Sequence, residues 1–106
     1  VYKAQGLYRE ASEIYDALLE RNPKSARLMR ERAEVYYLSG RMAAALDDIN
    51  RSIQIDPRDP YSYILRAQIR YAKKDREYAR RDVNQALELG LPRAEADVLI
   101  QKLDKK

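Results

Sequence analysis

The feature that most constrains this chain is a recurrence at a fixed interval. Gly6 and Gly40, Ala11 and Ala45, Ala45 and Ala79, Pro23 and Pro57, Tyr2 and Tyr36, and Tyr37 and Tyr71 are each separated by 34 positions. The segments Leu46-Asp47-Asp48-Ile49 and Arg80-Arg81-Asp82-Val83 hold equivalent places within that interval. A period of this size signals one supersecondary unit used repeatedly, each unit leaving an apolar side that only its neighbour can cover.

Within the period the pattern is helical. Apolar residues recur at spacings of three and four, and alternation with period two is never sustained. A first stripe holds Leu7, Tyr8, Ala11, Ile14, Tyr15, Leu18 and Leu19 and stops at Asn22-Pro23. A second runs through Leu28, Met29, Ala33, Tyr36, Tyr37 and Leu38 to Ser39-Gly40, with Gly40 suited to a left-handed cap. A third uses Met42, Ala45, Leu46, Ile49, Ile53 and Ile55 and closes at Asp56-Pro57. The fourth opens on Asp59 as N-cap with Pro60 in the first helical position, and continues through Tyr63, Ile64, Ala67 and Tyr71. A fifth holds Tyr78, Ala79, Val83, Ala86, Leu87 and Leu89 and ends at Gly90-Leu91-Pro92. A last amphipathic helix places Ala96, Leu99, Ile100 and Leu103 on its apolar side. The short connections make neighbouring helices antiparallel, and the fold class is all-α.

The constellation resembles the tetratricopeptide repeat family, a helix–turn–helix unit of the same length. Residues 26–59 carry Met29, Ala33, Tyr36, Gly40, Ala45, Ile49, Ser52 and Pro57 at the family's places, and residues 60–93 carry Tyr63, Ala67, Ala79, Val83 and Ala86. Residues 1–25 read as a partial first repeat with Tyr2, Gly6, Ala11, Tyr15 and Pro23, and residues 94–106 as a capping helix. The resemblance implies one repeat domain, a right-handed superhelical stack of antiparallel helix pairs. Small residues at Ala33, Ala45, Ala67 and Ala79 let paired helices approach closely. The third unit departs from the pattern, with Arg70 in place of a tyrosine and Lys74 in place of a glycine. Asp97 in an aromatic place fits the terminal helix of a stack. The register also leaves only the last turn of a leading helix before Gly6, so the Leu7–Leu18 face is expected to lack part of its cover and to act as an association surface. Because the chain opens on Val1 and not methionine, it reads as a piece of a longer protein.

Composition narrows the chemistry. The chain has no cysteine and no histidine, which removes thiolate metal sites, cysteine nucleophiles and the commonest general base. The three glycines stand at expected helix ends, so no phosphate-cradling loop is available. The adjacent acids Asp47 and Asp48 read as solubilising residues on the outward side of a helix. Neither enzyme activity, a catalytic residue, a cofactor nor a metal is therefore expected. No apolar run reaches the ~20 residues of a membrane span. Absence of cysteine suits cytoplasm and bacterial periplasm equally, and the compartment stays open.

The resemblance assigns binding to the first helix of each unit, which in this family lines a concave groove. Carried over, the partner-binding residues are Arg27, Arg30, Glu34 and Tyr37 from the second unit, with Leu38 beside them. The third unit contributes Tyr61, Ile64, Gln68 and Tyr71, with Ala72 beside them. Tyrosine and arginine are the types most enriched at interface hot spots. The expected partner is a protein, as an extended peptide or a helix. Family members that grip the terminal carboxylate of chaperone tails need an asparagine and two basic residues where this chain has Glu31, Tyr61 and Leu65, so that mode is disfavoured. Two alternatives remain. One is RNA binding through the basic cluster Lys73, Lys74, Arg76, Arg80 and Arg81, although 21 basic and 17 acidic residues are interleaved and a nucleic-acid partner is not expected. The other is homo-oligomerisation through open repeat ends.

Overall fold

The structure, a computed structural model, describes residues 2–105, with side chains over residues 6–105. Among the described residues there are six helices and no strand: α1 (Tyr2–Arg21), α2 (Ala26–Leu38), α3 (Met42–Ile55), α4 (Pro60–Ala72), α5 (Arg76–Glu88) and α6 (Arg93–Asp104). They divide into two compact units, residues 1–57 and 58–106. In the first, α2 and α3 form a hairpin and α1 packs on α2. In the second, α4 and α5 form a hairpin, and α6 packs on both.

The helix boundaries follow local chemistry. Ser25 caps α2 by accepting from the Leu28 N–H at 3.2 Å, and Asp59 caps α4 by accepting from the Tyr61 N–H at 3.0 Å, with Pro60 next. Three helices end in the same left-handed turn. The Gly40 and Arg41 N–H groups donate back to the carbonyls of Tyr37 and Tyr36, at 3.1 and 2.8 Å. Lys74 and Asp75 repeat the pair onto Tyr71 and Arg70, and Gly90 and Leu91 repeat it onto Leu87 and Ala86. Each satisfies two carbonyls that a helix end would leave without partners. Lys74 occupies this turn at φ +66°, where Gly40 stands at +85° and Gly90 at +104°. It is a lysine in a conformation that favours glycine.

The close approach between paired helices is carried by alanine. Ala33 and Ala45 in one hairpin and Ala67 and Ala79 in the other are fully buried. Ile49 and Val83, one turn on from Ala45 and Ala79, are buried as well. Ser52 donates its hydroxyl to the Ala26 carbonyl at 2.7 Å, tying the end of α3 to the start of α2.

Gly6 corrects the sequence reading. It lies inside the continuous helix α1 and not at a helix end, and a Cβ there would meet nothing within 4 Å. Extending a helix adds one hydrogen bond per residue fixed, whereas breaking and restarting it repeats the cost of nucleation, so the helix runs through the glycine. The cost is the modest helix penalty of one glycine. Further along α1, Leu7 and Ile14 are 64% and 60% exposed, and Leu18 is also open.

Candidate functional site

At about 100° of rotation per residue, Arg27, Arg30, Glu34 and Tyr37 fall within roughly 80° of the circumference of α2. Their counterparts 34 residues later, Tyr61, Ile64, Gln68 and Tyr71, occupy the same arc of α4. On α2, Arg27 and Glu34 are exposed, while Arg30 and Tyr37 are half-buried. The opposite side of that helix carries the buried Leu28 and Met29, and the buried Ala33 lies next to the Tyr37 edge of the arc. On α4, Tyr61 is 44% exposed, Gln68 and Tyr71 are half-buried, and Ile64 is buried at 9%. Ile64 therefore shapes the surface without offering contact area.

Local contacts hold several of these groups in place. The Tyr61 hydroxyl donates to Glu95 at 3.1 Å, which fixes that ring against α6. The Arg76 guanidinium sits 5.7 Å from the centre of the Tyr71 ring. In the first unit, burial and then the neighbouring Glu31 push the Tyr15 phenol above its ordinary pKa, with Glu34 adding and Arg27 opposing. Tyr15, which also packs on Leu19, Leu28 and Met29, thus joins α1 to the charged arc of α2. The sequence stripe treated it only as an apolar residue.

Two ion pairs, related by the same interval of 34, brace the hairpins. Arg32 donates from Nε and Nη2 to both oxygens of Asp48, at 2.7 and 2.8 Å, and from Nη1 to Asp16 at 2.8 Å. Arg66 makes the same two-pronged contact with Asp82, at 2.9 and 2.8 Å. Asp48 and Asp82 are each only 4% exposed. The hydrogen bond to Asp48 raises the Arg32 pKa above its already high ordinary value, so the guanidinium stays charged. This corrects the reading of Asp47 and Asp48 as two outward acids. Asp47 is exposed, whereas Asp48 turns inward because an arginine one helix away supplies its counter-charge.

The basic cluster of the third unit is largely engaged within the chain. Arg76 donates to the Lys105 carbonyl, and Arg80 donates to the Leu103 carbonyl and to Asp104 at 2.8 and 2.9 Å. Both arginines thereby complete the C-terminal end of α6, where orphan carbonyls attract cations. Arg81 pairs with Glu77 one turn away, and Lys73 and Lys74 are exposed. Among the described residues, no group of three or more acidic, cysteine or histidine side chains is placed to hold a metal ion, and no helix is long and apolar enough to cross a membrane.

The paired helices, the recurring left-handed turns and the buried alanines are those of a helical repeat protein. The tetratricopeptide repeat profile matches residues 1–60, and the chain belongs to that family. The RNA polymerase II-associated protein 3 of Xenopus tropicalis is 30% identical over 105 residues, covering 99% of this chain and 16% of the relative. The chain thus spans about a sixth of the length of that relative. The solution structure of the first TPR domain of human RPAP3 superposes with a TM-score of 0.87 at 28% identity, over 96% of this chain and 80% of that one. The first TPR of Spaghetti (RPAP3), bound to the HSP90 peptide SRMEEVD, gives 0.86 at 28% identity, over 96% of this chain and 81% of that one.

Proposed function

We propose that this chain is a protein-interaction module that holds an extended peptide or a partner helix, without catalysis, through the outward arc of the first helix of each hairpin. The binding residues are Arg27, Arg30, Glu34 and Tyr37 on α2 and Tyr61, Gln68 and Tyr71 on α4, with the buried Ile64 supporting the α4 surface from beneath. The observation that carries this reading is the likeness, across almost the whole chain, to a domain captured with a peptide bound. The composition of the arcs supports it: guanidinium donors and a carboxylate acceptor beside tyrosine rings suit a ligand with both backbone and side-chain groups.

The mode of grip differs from that of a terminal-carboxylate binder. Glu31 brings a like charge to a carboxylate, Tyr61 offers a phenol in place of a cation, and Leu65 is buried and apolar. The ligand is therefore held along its length and not by its end. Fluorescence anisotropy with SRMEEVD as the free acid and as the C-terminal amide tests this directly. Affinities within about twofold of each other, or no binding by either, are expected. A free acid bound tenfold or more tightly would overturn this mode of grip. Tenfold is the effect expected of about 1.4 kcal/mol held at the terminus.

A further inference from the structure

We infer that the second unit carries a separate pocket for the anionic side chain of a peptide, phosphoryl or carboxylate, between α4 and α5. The hollow, about 510 Å³, is lined by Tyr63, Arg66 and Arg70 from α4 and Tyr78, Arg81, Asp82 and Gln85 from α5. The α4 contributors lie roughly 150° around that helix from the arc of Tyr61, Gln68 and Tyr71. The pocket is thus independent of the binding surface proposed above.

Charge and donor supply favour an anion. Three arginines line the hollow against one aspartate. Asp82 already receives two bonds from Arg66 and one from Arg70 at 2.9 Å. Arg70 gives Asp82 a bond from one nitrogen, and Arg81 gives Glu77 a bond from one nitrogen. Each guanidinium carries five donor hydrogens, so both retain donor capacity beside the hollow. The Tyr78 ring arranges them: the guanidinium carbons of Arg70 and Arg81 lie 5.1 and 5.0 Å from its centre. Two planar forks held on one ring suit an oxyanion that accepts several bonds. Tyr78 itself is open to solvent.

The pocket is particular to this hairpin. The corresponding places 34 residues earlier hold Arg32 and Arg51 against Asp47 and Asp48, and balance in charge. Tyr36 stands there in place of Arg70, and Ala44 in place of Tyr78. The pairing is built differently: in the first hairpin Tyr36 on α2 receives Arg41, from the turn before α3, at 4.9 Å, whereas in the second Arg70 on α4 is received by Tyr78 on α5. The departure from the repeat pattern at Arg70 is thereby accounted for.

Nitrogen-15 NMR titration of the full chain tests the assignment, with acetyl-Ala-phosphoserine-Ala-amide, its glutamate counterpart and inorganic phosphate as probes at constant ionic strength. Saturable shifts at the Arg70 and Arg81 Nε–H groups and around Tyr78 are expected, and the stronger of the two peptides identifies the anion. Arg81→Gln, an exposed change that leaves the Asp82 pairs intact, should weaken binding about fivefold or more. Lys102→Gln, which removes a positive charge on α6, should not. Unsaturable shifts, or equal losses in Arg81→Gln and Lys102→Gln, would reduce the pocket to general electrostatics and overturn it. Tighter binding of a short single-stranded RNA at the same residues would overturn the assignment to a peptide.

Discussion

Replacing Asp82 with alanine should be among the most damaging single changes available in the second unit. The carboxylate accepts three charge-assisted bonds and lies almost wholly out of solvent. Its removal takes from Arg66 and Arg70, whose side chains are 18% and 22% exposed, the carboxylate that both of them pair with. Breaking a fully buried pair from one side costs about 3–5 kcal/mol. The residual solvent access of both arginines lowers the expectation to about 2–4 kcal/mol. Asp48→Ala should cost less, because Arg32 keeps its second bond to Asp16. The exposed pair of Arg81 and Glu77 sets the lower limit, since such pairs contribute about 0.3–0.5 kcal/mol. Urea unfolding followed by far-ultraviolet circular dichroism measures all three on one scale. An Asp82→Ala loss no larger than that of Arg81→Gln would refute the claim that the inward aspartates brace the hairpins.

Lys74→Gly should stabilise the chain by about 0.5–1 kcal/mol, because it relieves a left-handed lysine and returns only part of that gain to the unfolded chain; thermal melting at neutral pH checks it, and a lower midpoint would contradict the strain. The raised pKa of Tyr15 makes alkaline pH unfavourable. The folded chain holds that proton to higher pH than the unfolded chain, so stability is unaffected below the ordinary value of 10.0 and falls as pH rises beyond it. Tyr15→Phe should flatten part of that fall in a pH series of urea midpoints, and an unchanged alkaline slope would remove Tyr15 as its source.

The fold was legible because the repeat wrote the same instructions more than once. Pro60 after Asp59, the Gly40 turn and the alanines of the hairpin contacts all declare themselves by residue type, and each has a local physical cause. Lys74 shows the same turn persisting without its usual residue, since the two backbone bonds and the following helix over-determine it. Gly6 misled because a single glycine does not by itself break a helix, its penalty being only about 1 kcal/mol. The two ion pairs were present in the sequence as Arg32 with Asp48 and Arg66 with Asp82, at one spacing and one period. They were missed because Asp48 beside Asp47, and Asp82 beside Arg80 and Arg81, look solvated until the opposing helix is known. The α4–α5 pocket is less legible still, because it depends on Arg70 of α4 meeting a ring that α5 supplies. For the proposed arcs, sequence placed the residues on one side of each helix, but only the structure separates the buried Ile64 from the open Tyr61.

Placement of the binding surface is tested most directly by site-specific photo-crosslinking. A photoreactive benzophenone amino acid would be placed singly at Arg27, Glu34, Tyr37, Tyr61 or Tyr71, and at Asp47 and Val98 as exposed controls on other helices. Each variant would be irradiated with a random extended-peptide library, and the captured peptides would be counted by mass spectrometry. The account predicts that capture concentrates at the five positions on α2 and α4, with a shared sequence preference among them. Equal or greater capture at Asp47 or Val98 would place the binding surface elsewhere and contradict it.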